Sequence, residues 1–171
     1  MVIANGSAAP IFSLNDKDEK ILSLKDIKSS FIVIYFYPKD NTPGCTIEAK
    51  EFSERLEDFK KVNTTVIGIS GLNSKSKRKF VDNNKLKLTL LSDSDFEIAK
   101  RYDSYGEKSF MGRKYNGIFR NTYILDKNKK IIKVYENVKA LGHAKEVLEY
   151  IKGLKWILKY IVNINIKIIE L

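Results

Sequence analysis

The sequence predicts an α/β domain, a sheet with helices on its faces. Three observations carry this. The run FIVIYF (31–36) is apolar throughout and bounded by turn residues, which reads as a strand buried on both faces. TTVIGIS (64–70) is a second short, β-branched run of core-strand type. Segments of helical period fall between such runs, so the order is strand, helix, strand, helix.

Taken in order, residues 10–27 (PIFSLNDKDEKILSLKDI) place two short alternating segments around a polar NDKDEK turn, a hairpin with no glycine in it. The central strand follows and Pro38 ends it, because proline cannot extend the ladder. Thr42 is an N-cap type, Pro43 suits the first helical position, and Glu48, Glu51 and Glu54 place acid in the early turns. That helix presents Phe52, Leu56 and Phe59 on one face and is expected to end near Lys61. After the strand at 64–70 come a helix over 74–83, a third strand at 86–91, and a short helix within SDSDFEIAKRY. Residues 104–116 have turn residues and no clean period, and the segment is long enough to be a functional loop. Residues 117–126 and 130–136 make a hairpin across KNK, and a last helix starts at 142. In the tail, Leu154, Ile157, Leu158 and Ile161 keep helical spacing. Val162, Ile164, Ile166 and Ile168 then alternate with Asn163, Asn165 and Lys167, a switch to period 2 that predicts a helix-strand tail. The domain is expected over 1–153, with 154–171 as an extension packed on a sheet edge or a partner subunit.

At 171 residues the chain fits one domain with a full core, and 43% hydrophobic with 30% charged residues describes an ordinary globular protein. One cysteine excludes an internal disulfide framework and, with one histidine, leaves no Cys/His ligand set for zinc within one chain. The net charge of +10 comes from lysines spread along the whole length and mixed with acids. The one local basic cluster, SKSKRKF (74–80), lacks interleaved aromatics, so a solvated exterior is expected rather than a nucleic-acid partner. Lysines interrupt the apolar tail, so no membrane span is expected. The first residues lack a charged segment followed by an apolar one, and a free reactive thiol suits a reduced, cytoplasmic setting.

The only cysteine, Cys45, falls in the first turn of the helix that leaves the carboxyl edge of the central strand. Free N–H groups and the positive end of a helix dipole favour thiolate, the nucleophilic form. A free thiol near pKa ~8.5 is about 3% ionised at pH 7, so full ionisation gains at most roughly 30-fold. A fast thiol enzyme must therefore also stabilise charge on the leaving group. Arg120, in the apolar setting GIFRNTYIL, is the candidate cation: its guanidinium stays charged, and burying it needs a partner.

The stretch FYPKDNTPGCTIEA resembles the signature of the peroxiredoxins, in particular their bacterioferritin-comigratory (PrxQ-like) branch, and the likeness continues through YGEKSFMG, GIFRNTYILD and GHAKEVL. The resemblance implies a thioredoxin-like fold with an added N-terminal hairpin and a central mixed sheet. It implies a thiol-dependent peroxidase in which Cys45 attacks a hydrogen peroxide or organic hydroperoxide and becomes a sulfenic acid. Arg120 would hold the thiolate and the peroxide oxygens, and Thr42 would hydrogen-bond the peroxide, although an N-cap would use the same oxygen. Pro38 would shield the sulfur, and the N–H groups of Gly44 and Cys45 would face the attacked oxygens. Glu48 either orients Arg120 or serves the helix dipole. Phe119, with Phe110 and Met111, could line an apolar collar for organic hydroperoxides. His143 is expected at the surface or as a cap, and Trp156 in the core or rim.

Many relatives of this branch place a resolving cysteine five residues after the nucleophile; here that residue is Lys50. The sulfenic acid must then be reduced by an external thiol, whether thioredoxin, glutaredoxin or a small molecule. No cofactor is expected; the resemblance implies a monomer, to which the tail could add a weak homodimer contact. The competing readings are a thioredoxin-like disulfide exchanger, which normally needs a second cysteine, and a non-catalytic binding or holdase module.

Overall fold

The computed structural model describes residues 3–169, arranged around a strand that is buried on both faces. Strands β1 (Ser13–Asn15) and β2 (Ile21–Ser23) form the N-terminal hairpin, and β3 (Phe31–Phe36) is the central strand. Helices α1 (Pro43–Glu54) and α2 (Leu56–Lys61) lead to β4 (Thr64–Ser70); α3 (Ser74–Asn84) leads to β5 (Thr89–Ser92) and α4 (Glu97–Arg101). Then follow β6 (Tyr105–Phe110), β7 (Arg113–Ile118), β8 (Thr122–Asp126), β9 (Ile131–Tyr135) and α5 (His143–Ile169).

Seven strands form one mixed sheet in the order β2-β1-β5-β4-β3-β8-β9. β3, β4 and β5 run parallel because helices connect them, whereas β8 returns antiparallel along β3. Alternation along β3 sorts the core into two layers. Phe31, Val33 and Tyr35 face Phe52, Phe59, Val147 and Ile151 on the α1–α5 side. Ile32, Ile34 and Phe36 face Leu24, Tyr102, Tyr123 and Leu125 on the other. This is the thioredoxin-like arrangement with a flanking hairpin that the sequence led us to expect.

Several details differ from the sequence reading, each for a local reason. The first hairpin turns without glycine because Asp16 Oδ1 accepts from the N–H groups of Asp18 and Lys20 at 2.8 and 3.0 Å. Residues 105–118 are not an irregular loop but a separate two-stranded sheet, β6 against β7, turning at Met111-Gly112. The expected strand 117–126 is divided, leaving Phe119, Arg120 and Asn121 outside both β7 and β8.

The tail is the main correction. α5 runs unbroken to Ile169, so the strand expected from Val162 onward is not formed. A lone strand leaves its N–H and C=O groups without ladder partners, whereas a continued helix pairs them within itself. The helix leaves Trp156, Ile157, Leu158, Tyr160 and Ile161 exposed, so this stretch does not cover a sheet edge of its own chain. Trp156 accordingly belongs to neither core nor rim. Residues 170–171 lie outside the described residues.

Candidate active site

The site forms where β3 hands over to α1. Pro38 sits half-buried in the bend after β3, and Thr42 stands at the helix N-cap with extended backbone angles. The Thr42 carbonyl accepts from the Thr46 N–H at 2.8 Å, the first helical bond. Its hydroxyl does not cap the helix as expected: it donates to the Lys39 carbonyl at 3.0 Å. With Pro43 supplying no N–H and no side chain capping the turn, the Gly44 and Cys45 N–H groups have no acceptor among the described residues. They remain free for an incoming oxygen.

Cys45 is a free thiol, 1% exposed. Arg120 reaches it from the break between β7 and β8: Nη2 donates to the sulfur at 3.2 Å, and Nη1 donates to Glu48 Oε2. One guanidinium thus bridges two residues that lie three apart on one face of α1. Arg120 lies outside both ladders, its own carbonyl accepting from the Val138 N–H at 2.8 Å. Burial opposes the charge on Arg120, but the Glu48 carboxylate and the Cys45 sulfur together hold its pKa above the usual arginine value. Burial pushes the Glu48 carboxyl from 4.5 up to about 7, with Arg120 offsetting part of the rise. Its second oxygen, Oε1, is buried with no partner among the described residues. Of the two readings offered for Glu48, the contact with Arg120 is the one the geometry carries.

Gly44 leaves room for the guanidinium: a Cβ there would stand 3.3 Å from Arg120 Nη2. Phe119 is half-buried and packs against Gly106 of β6, while Lys108 lays its ammonium 5.9 Å from the Phe119 ring centre. Lys108 Nζ donates to the Ile118 carbonyl at 3.0 Å. Burial and then the Arg120 charge lower the Lys108 pKa, against the pull of Cys45. Met111 is 88% exposed at the hairpin tip and lines no collar, and the Phe110 side chain lies outside those described. His143 is buried rather than at the surface, with Nε2 2.9 Å from Thr122 Oγ1 and its ring edge-on to Phe52 and Tyr135.

Sequence reasoning missed the support beneath the loop. Asp40, between Pro38 and Thr42, is buried and accepts from Tyr37 OH and Ser76 Oγ, both at 2.7 Å. Lys77 of α3, counted above in a solvated basic cluster, is fully buried, with Nζ 3.2 Å from both Asp40 oxygens. It also donates to Ser70 Oγ at 2.5 Å and the Leu72 carbonyl at 3.1 Å. Burial lowers the Lys77 pKa, and Asp40 offsets part of that. The available signal was its place in SKSKRKF, three residues before Phe80 on the helix face that enters the core.

A thioredoxin-like fold that holds one thiol at a helix start, against a guanidinium and free N–H groups, defines a thiol-dependent peroxidase of the peroxiredoxin class. The chain belongs to the AhpC/TSA family, whose pattern it matches over residues 5–134. It is 45% identical over 144 residues to a putative peroxiredoxin Bcp of Helicobacter pylori strain J99, covering 84% of this chain and 95% of that one. With the peroxiredoxin Bcp of Escherichia coli K12 the identity is 37% over 147 residues, covering 86% and 94%. Among solved structures, a PrxQ Cys-to-Ser variant from Xylella fastidiosa superposes with a TM-score of 0.85 at 32% identity, over 91% of this chain and 99% of that one. Peroxiredoxin Q of Xanthomonas campestris gives 0.78 at 32%, over 83% and 90%.

Proposed function

We propose that the chain reduces hydroperoxides through Cys45 and is recycled by a thiol from outside the chain. The Cys45 thiolate attacks the terminal oxygen of ROOH, the O–O bond breaks, and the leaving RO⁻ takes a proton to depart as alcohol or water. The sulfur keeps one oxygen as sulfenic acid. One external thiol converts it to a mixed disulfide with loss of water, and a second thiol displaces that disulfide to restore Cys45. The sequence has no other cysteine, so neither step can be internal to one chain. Thioredoxin, glutaredoxin or a small thiol can serve as reductant, and a reduced cytoplasm is the compartment that supplies them.

The observation that carries this reading is the Arg120 Nη2 contact to the Cys45 sulfur at 3.2 Å. It sets a fixed positive charge where the thiolate and the breaking O–O bond need it. In this role Arg120 binds both sulfur and substrate, while Glu48 holds the guanidinium in place. The Gly44 and Cys45 N–H groups meet the attacked oxygens. Thr42, having spent its proton on Lys39, meets the peroxide as an acceptor. Pro38 covers the sulfur, and Phe119 offers an apolar wall to the organic group.

The test is intact mass after one equivalent of peroxide, with and without a sulfenic-acid trap. A gain of one oxygen that the trap captures within seconds at micromolar peroxide is expected, and Cys45→Ser should abolish turnover with added dithiol. Thiol loss no faster than that of free cysteine, together with suppression of client aggregation, would instead support the non-catalytic module. Insulin-disulfide reduction without peroxide consumption would support the exchanger.

A further inference from the structure

Helix α5 carries one apolar stripe beyond the part of the fold that uses it. Val147 and Ile151 are buried and Leu154 packs partly against the same core, spaced by four and three residues. The same spacing continues at Leu158 and Ile161, which are 54% and 48% exposed, with Ile157 beside them at 49%. A different row of the helix carries Lys152, Lys155 and Lys159. Between the apolar and basic rows lie Trp156 and Tyr160, 68% and 57% exposed and stacked on each other with centroids 5.6 Å apart. From residue 150 to 169 every charged residue is a lysine, in a chain of net charge +10. The family match ends at residue 134, and the Helicobacter relative is almost wholly covered by 84% of this chain.

We propose that the exposed end of α5 docks flat on an anionic lipid surface. Apolar residues on one row, amphipathic rings at its border and lysines beyond them are what an interfacial helix needs. Ile157 and Ile161 enter the acyl boundary, the rings sit at headgroup level, and the ammonium groups meet lipid phosphates. The helix lies on the surface and does not cross it, since among the described residues no helix is long and apolar enough to span a membrane. A second copy of the chain is the weaker occupant on charge: paired helices gain from opposite charges beside the contact, and this stretch offers only cations. Two neighbours engage the lysines within the chain, Lys152 with Glu149 at 2.9 Å and Lys155 with the Lys61 carbonyl at 3.4 Å. Lys159 has no such contact among the described residues.

Trp156 is the only tryptophan, so the full-length protein carries its own reporter. It is mixed with vesicles of phosphatidylcholine alone, or of phosphatidylcholine with phosphatidylglycerol, and followed by emission and by pelleting. Blue-shifted emission and pelleting with the mixed vesicles only, reversed by high salt, is the expected result. The Lys155→Gln/Lys159→Gln variant should partition about 25-fold more weakly, at roughly five-fold per lysine, and keep the parent's rate with dissolved peroxide. Ile157→Ser/Ile161→Ser should abolish pelleting. The proposal is overturned by equal binding to neutral vesicles or by no pelleting. A lipid-free, concentration-dependent shift with doubled mass would also overturn it, because a second copy would then cover the face. Peroxide consumption is read separately, so this docking can fail while the peroxidase reading stands.

Discussion

Arg120 makes two contacts with one side chain, to the Cys45 sulfur and to Glu48, and that divided geometry is what a lysine cannot copy. Lysine offers a single ammonium on a flexible stem, so Arg120→Lys should keep the fold and lower the second-order rate with peroxide by about 100-fold or more, the loss expected of a missing charge-stabilising donor. Stopped-flow consumption of peroxide measures it, and a near-normal rate would remove Arg120 from the reaction. Gly44 tests the same geometry from the other side. A methyl group there meets Arg120 Nη2 at 3.3 Å, so Gly44→Ala should displace the guanidinium and slow the reaction by roughly tenfold, one donor made imperfect rather than lost. Alanine favours the helix over glycine by up to about 1 kcal/mol, so the melting temperature should hold or rise while the rate falls. Loss of both together would mean that the glycine serves the fold and not the site.

At the scale of elements, the loop from Pro38 to Thr42 is held from below by the Asp40–Lys77 pair, which joins it to α3 and β4. Removing one partner of a buried pair leaves an uncompensated charge, and Lys77→Met should destabilise the protein by about 3–5 kcal/mol. Adding Asp40→Asn to that variant should restore much of the loss, because the amide carries no charge: its oxygen still accepts from Tyr37 OH, and its NH2 can donate to the Ser76 hydroxyl oxygen. Urea unfolding of the two single variants and the double variant gives the coupling; additive losses would show that the two groups do not act as a pair. This network also marks how far the sequence could be read. β3 announced itself because it is apolar at every position, and the turn after it because Pro, Asn and Gly punctuate it. Cys45 and Arg120 were legible through the resemblance, and Cys45 also through its place at a helix start. Lys77 was not, because a buried lysine looks like a surface one until its partner, 37 residues earlier in the chain, is placed beside it. The 105–118 hairpin was hidden because β6 and β7 pair mainly with each other and bury little, so neither strand needs a strong apolar alternation. The tail misled for the opposite reason: its alternation was real, but strand pairing needs a neighbour that the fold does not supply.

For the whole molecule, two buried groups couple stability to pH in opposite senses. Burial raises the Glu48 carboxyl from 4.5 to about 7, so between those values the folded protein keeps a proton that the unfolded chain has released. Its effect is that stability falls as pH rises through that window, by on the order of 1–3 kcal/mol in all. His143 acts the other way. Burial lowers its pKa below 6.5, with Glu146 opposing, so at acid pH the unfolded chain binds a proton that the folded ring refuses. That contribution is intact above about 6.5 and is lost as pH falls. Other buried acids, such as Asp93, which burial also raises, act equally in parent and variant, so differences between their profiles isolate each group. Relative to the parent, Glu48→Gln should make stability climb more steeply with pH between about 4.5 and about 7, whatever it does to stability overall. His143→Asn should tilt the profile in the reverse direction. Urea midpoints taken across this range read both slopes. If Glu48→Gln only shifts the parent's profile by a constant, the carboxyl does not titrate there, and Arg120 meets a carboxylate that stays charged throughout.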